Sequence, residues 1–413
     1  MKTALTFCCP IILLAVLTTT ALAQEATVEK VNLFTAGEDG YALYRIPGVV
    51  VTSKGTVLAY CEARKSNRGD WGTIDIMLRR STDGGRTFEP RQHIAHFGEK
   101  VPKNPVALKQ KLAAEGEQTV NNPVAIVDQN GAVHFLYCVE YLRCFYMRSD
   151  DDGKTFTKPV EITDTFEKFR PDYDWKVLAV GPGHGIQLAK GRLVVPVWLS
   201  TGTGGHAHRP SSVSVIYSDD HGQTWQRGDM AAMNEGEVVN PNETVIAQLA
   251  DGRVMLNIRS ESHAHRRLIS TSSDGATAWS KPAFHAELLE PICMASLCRL
   301  SAQPTHDRNR LVFANPHNLQ RSGTPQAGQT RDRKNLSVKL SYDEGTTWLV
   351  DKVLEAGFSG YSDLAVTPDG TILCFYERGS TDGASNYRTG LLTLARFNTT
   401  WLTDGKDTFT PKK

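Results

Sequence analysis

The chain has 413 residues, of which 46 are lysine or arginine and 45 are aspartate or glutamate, so its formal net charge is +1. A balance this even excludes the broad positive field with which proteins bind nucleic acid or an anionic membrane surface. Any anion that the protein binds must therefore be held by a local cluster of basic side chains. The length alone would allow two domains, and it is ample for a sizeable hydrophobic core.

The first 23 residues have the pattern of a secretory signal peptide. An apolar stretch over Phe7–Leu17 is followed by Ala21-Leu22-Ala23, the small residues of a cleavage site. The stretch is too short for a membrane span. Cys8 and Cys9 lie ahead of most of it, whereas a lipidation site would follow it. We therefore expect an exported protein, either periplasmic or secreted.

Six cysteines follow the signal segment. An even number in an exported protein permits disulfides, and Cys138–Cys144 and Cys293–Cys298 are close enough in sequence to join across hairpins. Cys61 and Cys374 lie inside strand-like runs and are expected as buried thiols. No residues have the spacing of metal ligands, and the sequence implies neither a metal nor an organic cofactor.

A short pattern, Ser-x-Asp-x-Gly-x-Thr-aromatic, recurs along the chain. Four copies are complete: Ser81–Phe88, Ser149–Phe156, Ser218–Trp225 and Ser341–Trp348. A fifth, Ser272–Trp279, is interpreted as a decayed copy, since alanine stands where Gly and Thr are expected. Ser and Asp side chains bond to nearby backbone amides, glycine supplies a positive φ, and the aromatic residue packs under the turn. We expect these turns to be structural, with none of their aspartates catalytic.

Strand-like runs recur between the turns at intervals of about 60 residues. They are Thr56–Cys61, Ala132–Tyr137, Arg192–Trp198, Arg253–Ile258, Arg310–Ala314 and Thr371–Tyr376. Pro105–Ala114 is the one plausible short helix. A long repeat in a strand-rich chain predicts an all-β fold, here a six-bladed β-propeller formed by residues 24–413 as a single catalytic domain. Propellers bind ligands on their central axis, so site residues should be scattered singly along the sequence.

The segment Tyr44-Arg45-Ile46-Pro47 precedes the first turn. Together with the turns, it resembles the exo-α-sialidase (neuraminidase) family of bacterial type, and the resemblance extends over essentially the whole mature chain. The family is a six-bladed propeller whose first blade carries an Arg-Ile-Pro motif. The resemblance therefore implies the same fold and a sialic acid substrate.

The family grips the substrate carboxylate with three arginines. The resemblance assigns these roles to Arg45, to Arg259 in Asn257-Ile258-Arg259, and to Arg333, for which Arg331 and Arg321 are nearby rivals. Each guanidinium presents a planar pair of donors that matches a carboxylate, and it stays charged at any working pH.

The resemblance also implies a tyrosine nucleophile, Tyr361. A carboxylate nucleophile would be repelled by the carboxylate that sialic acid carries on its anomeric carbon, whereas a neutral phenol avoids that clash. Glu243 would take the phenol proton, because a phenol with a pKa of about 10 is otherwise a poor nucleophile. Asp70, in a loop after the first blade's inner strand, would be the acid and base, in preference to Asp75 in a strand-like run.

Three further positions follow from the resemblance. Glu377 matches the carboxylate that holds the first arginine in place, a supporting role. Arg64 matches an arginine that family members use near the sugar's 4-hydroxyl. Asn122 stands where some members have an aspartate, so an amide would make that hydroxyl contact.

Three segments are expected at the rim of the pocket. Gly181–Leu188 is similar to a glycine-rich rim segment of bacterial sialidases, and Glu99–Gln118 and Ser200–Arg209 are expected there without a defining motif.

These positions predict an exo-α-sialidase that releases terminal α-linked sialic acid from glycoproteins, glycolipids and oligosaccharides in two retaining steps. A trans-sialidase and a non-catalytic propeller that binds sialic acid remain as alternatives, although a binding protein would not need Tyr361, Glu243 and Asp70 together. A glycosidase for neutral sugars would leave three guanidinium groups with nothing to pair with. Neither a nucleic-acid partner nor a membrane span is expected.

Overall fold

The computed structural model describes residues 25–203, 205–322, 331–383 and 387–410, together with Met1 and Ala4. Apart from those two positions, the predicted signal peptide at residues 1–23 lies outside the described residues. Within the described ranges, no helix has both the length and the apolar character that a bilayer crossing requires.

Nearly all of the regular secondary structure in the described residues is β-strand, which confirms the predicted all-β class. The first strands are β1 Val28–Thr35, β2 Leu43–Val51, β3 Val57–Arg64, β4 Ile74–Ser81, β5 Gln92–His93, β6 Val120–Val127, β7 Val133–Val139, β8 Arg143–Ser149, β9 Val160–Glu161, β10 Val177–Val180, β11 Gly183–His184 and β12 Ile186–Gln187. The others are β13 Leu193–Ser200, β14 Ser211–Ser218, β15 Gln226–Arg227, β16 Thr244–Gln248, β17 Val254–Ile258, β18 Arg266–Ser272, β19 Ala283–Leu289, β20 Ser296–Ser301, β21 Arg310–Pro316, β22 Lys334–Ser341, β23 Val350–Val366, β24 Ile372–Arg378 and β25 Leu391–Phe397. Each of the six predicted strand-like runs overlaps one of these strands.

Helices are few and short in the described residues: α1 Pro105–Lys109, α2 Asp164–Glu167, α3 Thr399–Leu402 and the 3₁₀ turn Glu38–Gly40. The helix predicted over Pro105–Ala114 is confirmed in its first half only. Asn104 precedes it as the N-cap, since its side chain accepts a hydrogen bond from Val106 N at 2.9 Å.

The strands form five sheets in the described residues. Two are four-stranded, β2-β3-β4-β5 and β16-β17-β18-β19. Two are five-stranded, β11-β6-β7-β8-β9 and β10-β13-β14-β15 with β12 also on β13, and the seven-stranded sheet has the order β1-β25-β24-β23-β22-β21-β20. Because β1 pairs with β25, the first described strand of the chain completes the sheet formed by the last.

The seven-stranded sheet changes partners within the long strand β23. The strand pairs with β22 as far as Phe358 and with β24 from Ser359 onward. Tyr361 therefore lies just past the point where the chain leaves one group of four strands and enters the next. The side chain of Tyr361, at this change of partner, is one of those that line the candidate site.

The hydrophobic core lies in layers between neighbouring sheets. Along β3, Leu58 and Tyr60 pack with Phe135 on β7, while the alternate residues Ala59 and Cys61 pack with Phe375 on β24. Successive side chains of a strand point to opposite faces, so one strand contributes to two core layers. The first sheet thus contacts both the second sheet and the last one.

The six cysteines after the signal segment are all buried free thiols, as predicted for Cys61 and Cys374. Cys138 and Cys144 lie opposite each other on β7 and β8, without a bond between their sulfurs.

The complete turn repeats share one hydrogen-bond pattern. In Ser149–Phe156, Ser149 Oγ donates to Asp151 Oδ1 at 2.8 Å and accepts from Gly153 N at 2.9 Å, and Thr155 Oγ1 donates to Asp151 Oδ2 at 2.6 Å. The other three complete copies have the same bonds. Gly153 has a φ of +73°, and a Cβ on it would lie 2.7 Å from Leu58 of the preceding sheet. The turns are therefore structural, and they pack one sheet against the next.

The fifth turn is not decayed, which corrects the interpretation drawn from its alanines. Ser272 Oγ donates to Asp274 Oδ1 at 2.9 Å, but it accepts from Gly275 N, at 3.1 Å. Thr277 Oγ1 donates to Asp274 Oδ2 at 3.0 Å. The glycine and the threonine each stand one position nearer to the aspartate than in the other copies. One additional residue, Ala278, therefore stands between the threonine and the aromatic residue, with a φ of +48°.

Candidate active site

One polar cavity brings together side chains from distant parts of the chain. It is lined by Arg45, Ile46, Asp70, Asn122, Tyr141, Trp198, His206, His208, Arg209, Asn242, Glu243, Arg259, Glu261, Ile292, Arg333, Tyr361 and Tyr387. All of the predicted site residues except Arg64 and Glu377 are among them. The rivals are not: Arg331 bonds to His265 at 3.0 Å, and Asp75 accepts from Tyr41 at 2.7 Å, both outside the cavity lining.

Tyr361 makes two hydrogen bonds through its phenol oxygen. It donates to Glu243 Oε1 at 2.5 Å and accepts from Arg259 Nη1 at 2.8 Å, while Arg259 also bonds to Glu243 Oε2. Burial and the charge of Glu243 raise the pKa of Tyr361 well above its ordinary value, against the opposing effect of Arg259. The phenol is therefore protonated in the free protein, with a carboxylate in place to accept the proton.

Three guanidinium groups surround the Tyr361 ring. The central carbons of Arg45, Arg259 and Arg333 lie 5.2, 6.0 and 5.1 Å from the ring centroid. Arg333 also donates to Ile292 O at 2.7 Å and lies 4.5 Å from the ring of Tyr387. Three fixed positive charges beside a polar cavity form a site for an anion, and their planar donors suit a carboxylate.

Glu377 lies behind the cavity and links Arg45 to Tyr361. Arg45 donates from Nε to Glu377 Oε1 at 2.9 Å and from Nη2 to Oε2 at 3.2 Å, and the backbone N–H of Tyr361 donates to Oε2 at 3.1 Å. Gly360 makes room for this carboxylate, since a Cβ there would lie 2.2 Å from Glu377 Oε2. One buried carboxylate thus orients both the arginine and the strand that carries the tyrosine.

Asp70 lines the same cavity from the loop between β3 and β4. Its side chain is 42% exposed, and its Oδ1 accepts from Arg64 Nη1 at 3.0 Å and lies 3.8 Å from Arg45 Nη1. Burial alone would raise the pKa of Asp70, but the charge of Arg64, with smaller effects from His208 and Arg45, holds that pKa well below its usual range. Arg64 itself does not line the cavity: it is 1% exposed and lies behind Asp70.

Another part of the cavity wall is aromatic, formed by Tyr141, Trp198 and His208. None of these three residues was named as a site residue from the sequence, although His208 lies in the predicted rim segment Ser200–Arg209. The His208 ring lies 4.8 Å from Tyr141, 5.2 Å from Trp198 and 5.9 Å from Trp71. Burial lowers the pKa of His208 to about 4, so the imidazole is neutral near pH 7. Tyr141, Trp198 and His208 thus give the cavity an aromatic, largely uncharged surface.

Among the described residues, Ser200–Arg209 is the only predicted rim segment that lines the cavity, through His206, His208 and Arg209. In Gly181–Leu188, His184 lies away from the cavity and contacts Asp363 at 2.7 Å. Tyr141, Trp198 and Glu261 were missed because a single aromatic or acidic residue near the end of a strand carries no sequence signal of its own. Their common position at strand ends becomes visible once the sheets are known.

The chain matches the family model of the BNR repeat-like domain over residues 101–374. It is 30% identical over 358 residues to a sialidase of Bacteroides fragilis and 30% identical over 383 residues to a sialidase of Micromonospora viridifaciens. These alignments cover 83% and 90% of this chain but 61% and 54% of the two relatives. The chain therefore spans little more than half of their length.

Solved structures show the same likeness. A Hadza microbial sialidase superposes with a TM-score of 0.66 at 28% identity, over 87% of this chain and 66% of that one. Trypanosoma rangeli sialidase superposes with a TM-score of 0.66 at 19% identity, over 92% of this chain and 60% of that one, a likeness of fold alone. The family match, the two relatives and the turn repeats agree, and the chain belongs to the bacterial-type sialidase family.

Proposed function

We propose that the protein is an exo-α-sialidase that hydrolyses terminal α-linked sialic acid on glycoproteins, glycolipids and oligosaccharides. One observation carries the proposal: the phenol of Tyr361 donates to Glu243 at 2.5 Å inside a ring of three guanidinium groups. A nucleophile with its base beside it, next to a clamp for an anion, suits a substrate whose carboxylate adjoins the reacting carbon.

In the first step Arg45, Arg259 and Arg333 hold the substrate carboxylate, and the anomeric carbon lies over Tyr361. Glu243 takes the phenol proton as the oxygen attacks that carbon. The glycosidic bond breaks, its electron pair goes to the leaving oxygen, and Asp70 gives that oxygen a proton. The product of this step is a sugar bonded covalently to Tyr361.

In the second step the ionised Asp70 takes a proton from water. The water oxygen attacks the anomeric carbon from the side the leaving group occupied, and the bond to Tyr361 breaks. Glu243 returns its proton to the phenolate. Two displacements at one carbon retain its configuration, and every protein group is restored.

The low pKa of Asp70 in the free protein is compatible with its role as an acid. A bound carboxylate brings a negative charge to Arg45, which otherwise stabilises the ionised form of Asp70. Substrate binding therefore raises the pKa of Asp70 at the moment when its proton is needed. Asn122, also in the cavity lining, supplies an amide for a hydroxyl of the sugar.

The proposal extends to architecture and location. A six-bladed propeller is supported by the division of the seven-stranded sheet within β23 and by the contact of the first sheet with both the second and the last. We propose further that residues 24–413 form one catalytic domain, and that residues 1–23 direct its export to the periplasm or the medium.

The test is release of free sialic acid from 4-methylumbelliferyl α-sialoside and from 3′-sialyllactose, with the anomer followed by NMR. Hydrolysis that yields the α-anomer first is the expected result. Folded protein that binds sialic acid without releasing any would refute the enzyme and favour a binding propeller. Transfer to added lactose in place of hydrolysis would favour a trans-sialidase.

A further inference from the structure

A buried ion pair behind Asp70 has no part in the two steps proposed above. Glu62 is 0% exposed and Arg64 is 1% exposed, and they stand two residues apart on β3. Residues i and i+2 of a strand share a face, so the two side chains lie side by side. A buried charge is costly unless it is paired, which makes each of these residues depend on the other.

The guanidinium of Arg64 bonds to Glu62 on one edge and to the loop that carries Asp70 on the other. Nε and Nη2 donate to Glu62 Oε2 at 3.0 and 2.7 Å. Nη1 donates to Gly69 O at 2.8 Å and to Asp70 Oδ1 at 3.0 Å. With one edge of its planar group held by Glu62, Arg64 directs the remaining nitrogen at the loop that carries Asp70.

Glu62 also reaches the neighbouring sheet. Its second oxygen, Oε1, accepts from the backbone N–H of Asn122 at 2.8 Å, and Asn122 has a φ of +53° on β6. Both Asn122 and Asp70 line the cavity, whereas Glu62 does not. One carboxylate therefore ties two cavity walls together from behind.

The loop itself depends on such outside contacts. Between β3 and β4 it contains Gly69 and Gly72 with φ of +108° and +126°, a backbone that glycine adopts and other residues avoid. Gly72 N donates to Thr119 Oγ1 at 3.1 Å, and Arg64 holds the segment at Gly69 and Asp70.

We propose that Glu62 is a positioning residue that acts through Arg64 to hold Asp70 in place for proton transfer to the leaving oxygen. On this view Arg64 orients the acid. The proposal rests on the proposed function. It adds a positioning role to the sugar contact that the family resemblance implies for Arg64, and it assigns a role to Glu62, which that resemblance leaves without one.

The readout is the dependence on the leaving group. Methylumbelliferone departs as a stable phenolate and needs little help from an acid, whereas the alcohol of 3′-sialyllactose must be protonated. Glu62→Gln keeps the size of the side chain and removes its charge. Its kcat/KM on 3′-sialyllactose should fall about 10²-fold, because general acid catalysis contributes at least about 10²-fold to such a reaction. On the methylumbelliferyl sialoside, which needs little acid catalysis, kcat/KM should fall less than about threefold.

Arg310 and Asp407 supply the matched control. Arg310 is fully buried and donates to Asp407 at 2.7 and 2.8 Å, outside the cavity lining. Asp407→Asn should lower the unfolding temperature and leave the ratio of the two kcat/KM values unchanged. A merely structural role for Glu62 would produce the same result as this control.

A double-mutant cycle shows whether Glu62 acts through Asp70. In an Asp70→Ala background, Glu62→Gln should cause no further loss on 3′-sialyllactose, because the acid it positions is gone. Arg64→Lys, which keeps the charge and loses the planar group, should reproduce the substrate-dependent loss, and it carries the test if Glu62→Gln does not fold.

Equal losses on both substrates, or an additive loss in the double variant, would overturn the positioning role while leaving the sialidase activity established. A wild type that releases no sialic acid from either substrate would overturn both proposals.

Discussion

The turn repeats and the cavity use the same kinds of side chain over very different distances along the chain. In a turn such as Ser149–Phe156, the partners of Asp151 lie within four residues of it. In the cavity, the phenol of Tyr361 bonds to Glu243 and Arg259, which are 118 and 102 residues away in sequence. Arg45 and Glu377 are separated by 332 residues.

This difference decides what each region tolerates. The fifth turn moves its glycine and threonine by one position and still makes the same bonds, because a local turn can adjust its own backbone. The cavity has no such freedom, since its side chains come from several different sheets. Changes in the cavity should therefore cost activity, and changes in the turns should cost stability.

The largest effect is expected for Tyr361→Phe, which removes only the phenol oxygen. Its kcat should fall by at least about 10³-fold, because an enzyme without its nucleophile keeps only binding and polar stabilisation. Tyr342→Phe is the matched control in a turn, where the hydroxyl donates to Asp407 at 2.9 Å, and it should keep its activity. Steady-state kinetics on the methylumbelliferyl sialoside measures both. A Tyr361→Phe enzyme with a tenth of the wild-type kcat would contradict the assignment.

A smaller loss is expected for Gly360→Ala. The added Cβ would lie 2.2 Å from Glu377 Oε2 and displace the carboxylate that orients Arg45. We expect kcat/KM to fall by about 10²-fold, as for a misplacement of about 1 Å, and the free energy of unfolding by about 1–3 kcal/mol. Gly357→Ala, on the same strand with its nearest contact at 3.9 Å, should change neither. Similar kinetics for the two variants would show that Glu377 is not held in place by this close packing.

The pH dependence of activity should follow Asp70. Its pKa is held well below the usual range, so the protonated fraction in the free enzyme falls as the pH rises. We expect kcat/KM on 3′-sialyllactose to increase as the pH is lowered from about 7 to about 5, by up to about tenfold per unit, with a flatter profile on the methylumbelliferyl sialoside.

His208 is a second titratable group near Asp70, and it is the histidine whose charge acts on that carboxylate. Burial lowers its pKa to about 4, so it stays neutral over the same range. His208→Gln should therefore keep the wild-type slope. A slope that disappears in this variant would transfer the pH dependence from Asp70 to the histidine.

The smallest effect on activity is expected in the turns. Asp151→Asn loses a charged acceptor of four hydrogen bonds and should lower the free energy of unfolding by about 1 kcal/mol with unchanged kcat/KM.

The same variant tests a pH dependence of stability. Slight burial raises the pKa of Asp151, but hydrogen bonds from Thr155 and Ser149 outweigh it and lower that pKa to about 2, below the value in an unfolded chain. The stability it contributes is thus present above pH about 4 and lost as the pH falls towards about 2. Between pH about 5 and about 2.5, the unfolding temperature should fall less for the variant than for the wild type. An equal fall in both proteins would refute this linkage.

Much of the fold could be predicted because it is encoded by short patterns. The turns have their bonding partners within a few residues, and alternating apolar runs mark the strands whatever their neighbours are. The fifth turn was misinterpreted for the same reason. The pattern was matched by position, whereas the chain satisfies the bonds of Asp274 with Gly275 and Thr277 one place earlier.

The candidate site was only partly predictable. Each residue assigned through the family resemblance carried a local motif, and most of them line one cavity. Arg64 is the informative difference. Its motif is local, but its burial and its bond to Asp70 depend on Glu62 and on the course of the following loop. The aromatic wall had no motif, because Tyr141, Trp198 and His208 meet only where separate sheets end.

The sequence by itself determined the all-β class, the turn repeats, the strand runs and the kinds of side chain available for chemistry, since these depend on residues close together in the chain. The tertiary structure alone decided which arginine completes the set around Tyr361, which carboxylates face the cavity and which remain buried behind it. These outcomes depend on distances between sheets, set by core packing such as that of Leu58 against Phe135 rather than by any segment's own preference.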